Sequence, residues 1–290
     1  MSYLFIIYRN LKTLSLSDIE YVMKEMIDIH SHLIPEFDDG PKNFTESLEM
    51  LKQAADQGIR HVFATSHFNE WISADLETEY FNKLSELREK AASRNIAVTI
   101  HSGAEIFYHQ YVDKTIKTSR VTTLGNWGQY VLIEFPMFQM LEGSEEVLFR
   151  LTAEKYIPII AHPERYAIIL DRPRRLENFI KFGGLLQVNG GSLLGHFGKK
   201  IQKVANYILK NQWVHFIASD AHAPNGRNFV LHKVYEKLKD ELPTEYLENI
   251  LFNHQKKIID RLVLAPIIIP EPEERSGFFQ QIKRRFKTAN

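Results

Sequence analysis

The 290-residue chain contains no cysteine. That absence removes disulfides, thiolate zinc sites and every cysteine nucleophile, and it fits a reducing, cytoplasmic setting. Net charge is missing too, because 36 Lys and Arg balance 36 Asp and Glu. A chain without a global field does not recruit nucleic acid or membrane by bulk electrostatics, so any anion site must be local. The apolar patch at residues 3–8 is broken by Arg9, Asn10 and Lys12. It is too short to span a bilayer, and no small-residue cleavage site follows it. A glycine-rich nucleotide turn, an internal repeat and an interdomain linker are likewise absent.

What the chain does contain is an alternation of apolar strands and amphipathic helices. Ile27 and Ile29 alternate with Asp28 and His30, the period-2 pattern of a strand. Asn43 and Glu46 form a helix start signal, Phe44, Leu48, Leu51, Ala54 and Ala55 recur at helical spacing, and Gly58 closes the run. Further strands are expected over 60–67, 96–100 (running into 102–105), 130–136, 157–162, 184–188 and 214–220. Helices are expected over 75–94, 144–155, 174–182, 199–210 and 229–262. Alternation of this kind implies an α/β protein with a parallel sheet, and its strand number favours a barrel over a doubly wound sheet. Residues 26–265 read as one domain, with 1–25 a peripheral extension and 266–290 a tail. In the tail, Pro266, Pro270 and Pro272 break structure ahead of a basic, aromatic segment suited to weak contact with a membrane surface or a partner.

Metal-capable residues fall where these strands end. The first strand ends in His30 and His32, side by side on one face, with Asp38 and Asp39 in its loop. The others end in His67, Glu105, Glu134, His162, and finally Asp220 with His222. In a parallel barrel those ends meet on one rim, and a polynuclear metal site follows. Imidazole with carboxylate and no sulfur suits Mn, Fe or Zn. A carboxylate such as Glu105 can bridge two ions, and coordination lowers the pKa of bound water to about 7. Arg165, three residues after His162, and Arg227, five after His222, lie in rim loops where a guanidinium fork fits phosphate oxygens; pairing of Arg165 with Glu164 is the alternative. His61, His101, His109, His196, His215, His232 and His254 read as structural.

The ordered series Ile27-Asp28-Ile29-His30-Ser31-His32, Asp38-Asp39-Gly40, Thr65-Ser66-His67, Gly103-Ala104-Glu105, Ile133-Glu134-Phe135, Ala161-His162-Pro163-Glu164-Arg165 and Ala218-Ser219-Asp220-Ala221-His222 resembles the motifs of the PHP (polymerase and histidinol phosphatase) superfamily. Within it, the chain is most similar to the bacterial protein-tyrosine phosphatases encoded with capsule and exopolysaccharide genes. The resemblance implies a distorted (β/α)7, TIM-like barrel holding three divalent metal ions, manganese foremost. It implies that His30, His32, Glu105 and Asp220 hold one ion, Glu105, Glu134 and His162 a second, and Asp39, His67 and His222 a third. Arg165 and Arg227 would grip the phosphoryl group, and Asp38 would not be a ligand. The implied substrate is phosphotyrosine near the C-terminus of a membrane-associated bacterial tyrosine kinase. A histidinol-phosphate phosphatase and a non-catalytic scaffold for the kinase tail are the alternatives. Pro35-Glu36-Phe37 and Phe252-Asn253-His254 depart from the family pattern without removing a ligand.

Overall fold

The structure is a computed structural model that describes residues 25–138, 143–264 and 267–269. Seven strands, β1 (Met26–Ser31), β2 (Ile59–Phe68), β3 (Thr99–Phe107), β4 (Tyr130–Glu134), β5 (Ile157–Ala161), β6 (Leu185–Asn189) and β7 (Val214–Ala218), pair in parallel in sequence order. The first and last strands meet through a bridge between Ser31 and Ala221. His32 N donates to Ala221 O at 2.7 Å and Asp220 N to His30 O at 2.9 Å, so the sheet is nearly closed. The expected distorted (β/α)7 barrel is therefore what the chain forms.

Strand alternation sorts the apolar residues into two compartments. Ile27, Ile29, Phe63, Leu132, Ile159, Leu185 and Phe216 form one cluster, which fills the barrel. Residues of opposite parity, such as Val62, Ile100, Val131, Ile160 and Ile217, join a second cluster with the helices. The helix α1 (Phe44–Asp56) starts as its sequence indicates, with Asn43 Oδ1 accepting from Glu46 N at 3.0 Å. It buries Leu48, Leu51 and Ala54 against the barrel. The longer α2 (Ala74–Ser93) is capped by Ser73 and buries Tyr80, Leu84, Leu87 and Ala91. Then come α3 (Val112–Thr118), α4 (Ser144–Ala153), α5 (Ala167–Asp171), α6 (Leu176–Lys181), α7 (Gly190–Leu194), α8 (Lys199–Lys210), α9 (Leu231–Leu238), α10 (Thr244–Glu248) and α11 (His254–Ile259).

Three differences from the sequence reading have physical causes. β3 starts at Thr99 rather than Ile96 and ends at Phe107, because Ile96 N donates to Ala91 O at 3.1 Å and Val98 N to Ile96 O at 2.9 Å, which ties those residues to the turn after α2. The expected helix over 174–182 is a 3-10 turn (Pro173–Arg175) followed by α6. The expected helical stretch over 229–262 is split, with Leu242-Pro243 between α9 and α10 and a π-helical turn at Asn249–Asn253 before α11. Proline lacks the N–H that helix continuation needs. The N-terminal extension up to residue 24 and the basic tail from residue 270 lie outside the described residues.

Candidate metal centre

Two irregularities of the barrel aim side chains at the rim. The β1–β2 register slips between Asp28 and Ser31, so β1 sends Ile29 into the barrel core and His30 and His32 to the rim above it. Side chains satisfy the backbone groups released by the slip. Asp28 Oδ1 accepts from His30 N at 3.2 Å, Thr65 Oγ1 accepts from Ser31 N at 3.0 Å, and both Asp28 oxygens accept from Ser219 N at 3.1 Å. At the end of β5, Ala161 faces inward, so strict alternation would turn His162 away. A left-handed backbone at His162, φ 30°, re-aims it, and Asp220 is left-handed too, φ 52°. Strain of this sort in non-glycine residues collects at functional sites.

Glu105 stands at the centre of the rim. Its Oε2 lies 3.1 Å from His30 Nε2, 3.3 Å from His32 Nε2 and 3.2 Å from His67 Nδ1, while its Oε1 lies 2.9 Å from His162 Nε2. Asp220 Oδ1 completes one corner, 3.5 Å from His30 Nε2 and 3.6 Å from His32 Nε2. Glu134 stands 3.7 Å from both His67 Nδ1 and His162 Nε2. On the outer side, Asp39 Oδ1 lies 3.2 Å from His222 Nε2 and 3.5 Å from His67 Nε2. Four sets have ligand atoms within 4.8 Å of one another: His30, His32 and Asp220; His30, Glu105 and His162; His67, Glu105 and Glu134; and His32, Asp39, His67 and His222. All nine residues singled out as ligands in the sequence are thus brought together. Asp39, 59% exposed, and His67, 34% exposed, mark the side open to solvent, whereas Glu105 and His30 are sealed.

The imidazoles are held with lone pairs facing inward. His30 Nδ1 is 2.9 Å from Gln187 Oε1, His32 Nδ1 is 2.8 Å from Asp38 Oδ2, and His222 Nδ1 is 3.0 Å from Asp220 O. In each pair the oxygen accepts the N–H, which leaves Nε2 free, as in histidines that bind metal. Asp38 also accepts from Gly40 N and His67 N, both at 3.0 Å, so it shapes the loop and orients the His32 ring.

The residues fit divalent cations. Glu105 Oε2 and Asp220 Oδ1 are buried without a well-formed hydrogen bond, although imidazole nitrogens surround both. That is the geometry of co-ligands aimed at a shared point. Burial, then the charge of Glu105, pushes Glu134 up to about 8, so two carboxylates this close do not both ionise easily without a cation between them. Burial opposes the charge on Glu105 itself, but His30, His162 and His32 hold it well below the usual carboxylate range. Burial depresses His162 to about 4 and keeps it neutral. Burial also disfavours the charge on His32, but Asp38 and Glu105 outweigh it and raise that group to about 10, so protons and cations compete for the same nitrogen.

Both arginines reach the rim. Arg165 Nη1 donates to Asp220 Oδ2 at 3.0 Å and Arg227 Nη2 to the same oxygen at 2.6 Å. Glu164 is not the partner of Arg165: it is fully buried and accepts from Asn189 N at 2.9 Å. Sequence reasoning missed Gln187 and Asn189, which line the inner face of β6. Gln187 Nε2 donates to Asn189 Oδ1 at 2.9 Å, and Asn189 Nδ2 donates to Asp220 Oδ2 at 2.7 Å. Two buried amides in an otherwise apolar strand were the available signal.

A parallel seven-stranded barrel whose C-terminal rim gathers histidines and carboxylates able to hold several metal ions defines the class of protein. The family model for capsular polysaccharide synthesis, CpsB/CapC, matches residues 26–260. The chain belongs to that family. It is 32% identical over 254 residues to the putative tyrosine-protein phosphatase CapC of Staphylococcus aureus, covering 87% of this chain and 99% of that one. It is 33% identical over 258 residues to the tyrosine-protein phosphatase YwqE of Bacillus subtilis, covering 88% and 100%. A solved structure from work on YwqE of Bacillus subtilis and CpsB of Streptococcus pneumoniae, described as unique metal-dependent tyrosine phosphatases, superposes with a TM-score of 0.76 at 29% identity. That match covers 84% of this chain and 100% of the other.

Proposed function

We propose that the chain is a metal-dependent protein-tyrosine phosphatase acting on a bacterial tyrosine kinase that controls capsular or exopolysaccharide synthesis. The observation that carries this reading is one carboxylate, Glu105, within 3.3 Å of four imidazoles, with two guanidiniums anchored on the adjoining Asp220. The names of the relatives support the substrate class. His30, His32, Glu105 and Asp220 would hold one ion, Glu105, Glu134 and His162 a second, and Asp39, His67 and His222 a third, with manganese the expected metal. When bound, such ions supply positive charge to the phosphoryl oxygens and the departing phenolate, and bring water to a pKa of about 7.

The chain's own residues do the rest. Arg165 and Arg227 offer two planar forks to the phosphoryl oxygens. Arg227 Nε is buried with no hydrogen-bond partner, a donor available to an anion. Asp220 Oδ2 keeps both arginines beside the metal positions. A phenolate with a parent pKa of about 10 leaves without a dedicated general acid. The phosphotyrosine would arrive on the kinase's C-terminal tail from the open side, marked by Asp39 and His67. Among the described residues no helix is long and apolar enough to cross a membrane; we place the enzyme in the cytoplasm, without a nucleic-acid partner. Any weak membrane contact would come from the C-terminal tail.

The test compares turnover of a phosphotyrosyl peptide and of histidinol phosphate by the manganese-loaded protein and its His162→Ala variant. Preference for the peptide, with activity lost in the variant, supports the reading. Preference for histidinol phosphate, or a variant that hydrolyses the peptide normally, sinks it.

A further inference from the structure

The loop after α7 carries an aromatic ring to the two arginines. The Arg165 guanidinium carbon lies 5.0 Å and that of Arg227 6.0 Å from the centroid of the Phe197 ring. Two cations that share a single carboxylate oxygen, Asp220 Oδ2, repel one another, and that oxygen can neutralise only one of them. The negative face of the aromatic ring adds an attraction that both guanidiniums share.

The loop is built to fix the ring. His196 N donates to Gly191 O at 2.9 Å and Gly198 N to Gly195 O at 3.2 Å. Gly195 and Gly198, on either side of the His196-Phe197 pair, have φ of +87° and +90°, values that glycine adopts without strain. Gln202 Nε2 ties the segment to Leu193 O at 2.9 Å. A Cβ on Gly191 would stand 3.1 Å from a Phe197 ring carbon, so the bare glycine lets the ring settle there.

We propose that Phe197 is a positioning residue that holds Arg165 and Arg227 together with their forks toward the phosphoryl group. This rests on the reading of both arginines as phosphate ligands. Phe197 touches neither the metal positions nor Glu105 among the described contacts, so its loss strikes anion binding and spares metal content.

The experiment uses the manganese-loaded, full-length protein with a phosphotyrosyl peptide as substrate and inorganic phosphate as inhibitor. Phe197→Leu is expected to raise KM and the phosphate inhibition constant in parallel by about tenfold, with metal content unchanged. Phe197→Tyr, which retains an aromatic face, restores both. In a protein carrying Arg165→Gln and Arg227→Gln, Phe197→Leu adds nothing further. Gly191→Ala displaces the ring without altering it and raises KM in the same direction, which keeps the test open if Phe197→Leu does not fold. Wild-type KM in Phe197→Leu, equal impairment in Phe197→Tyr, or a defect that persists without the arginines would overturn the inference and leave the phosphatase reading intact. Unchanged KM in the protein carrying both arginine substitutions would remove the phosphate reading, and this inference with it.

Discussion

β1 and β6 occupy the same rim and contribute to it in opposite ways. β1 leads two imidazoles, His30 and His32, to within 3.3 Å of Glu105. β6 supplies no candidate ligand, yet Gln187 orients His30, Asn189 anchors Asp220, and the segment that follows brings Phe197 to both arginines. One strand carries candidate ligands and the other fixes the side chains around them. Ligand placement alone leaves rings free to rotate; the buried amides of β6 remove that freedom at His30 and Asp220.

The largest effect is expected at Glu105, the carboxylate that His30 and His32 both face. Glu105→Gln removes the central charge that four imidazoles face, and peptide turnover in manganese should fall by at least about 10³-fold. Retained activity would mean that Glu105 is not the shared ligand. The supporting strand should give a graded effect. Gln187→Ala frees the His30 ring and should weaken manganese affinity by about 10- to 100-fold, measured by metal titration, with the melting temperature largely kept. Asp38→Asn tests the same idea at His32 and should weaken metal binding in the same range. If either variant binds manganese as the wild type does, orientation by these partners contributes nothing.

The smallest effect lies on the far side of β6. The β6–β7 register slips between Leu186 and Gln187, and His215 Nδ1 accepts from Leu186 N at 3.0 Å. Burial holds His215 down to about 3. The folded chain therefore refuses a proton that the unfolded chain binds below its ordinary pKa of about 6.5. This stability is present above pH 6.5 and is lost as the pH falls from there toward 3, by about 1 kcal/mol per pH unit. In metal-stripped protein, denaturant unfolding between pH 7 and 5 should show a shallower loss for His215→Gln, which keeps an acceptor but does not titrate. Parallel pH curves for the two proteins would contradict this account of the seam.

Much of the barrel and nearly all of the rim were legible because β1–β5 and β7 end in residue types that seldom gather by accident. Histidine and carboxylate after an apolar run stand out at His67, Glu134 and His162. β3 was harder: Ile96, Ala97 and Val98 look like strand residues, yet their backbone is used in the turn after α2, so the strand begins later than its apolar run. The work of β6 left only a faint trace, two amides in an otherwise apolar strand. Gln187 and Asn189 are short polar residues whose role exists only once β1 and β7 close beside them, a contact set by barrel closure between residues up to 157 positions apart. The ring at Phe197 was silent, since an isolated aromatic between glycines carries no sign of the guanidiniums it will meet. The irregular backbone at His162 is a tertiary consequence, and no propensity announces it.

The most direct test of the shared metal centre is metal content measured alongside phosphotyrosyl-peptide turnover, before chelation, after it, and after manganese is returned. About three equivalents of divalent metal per chain, activity that disappears with them and activity that returns with manganese are the expected result. Full turnover by protein stripped of its metals would contradict it.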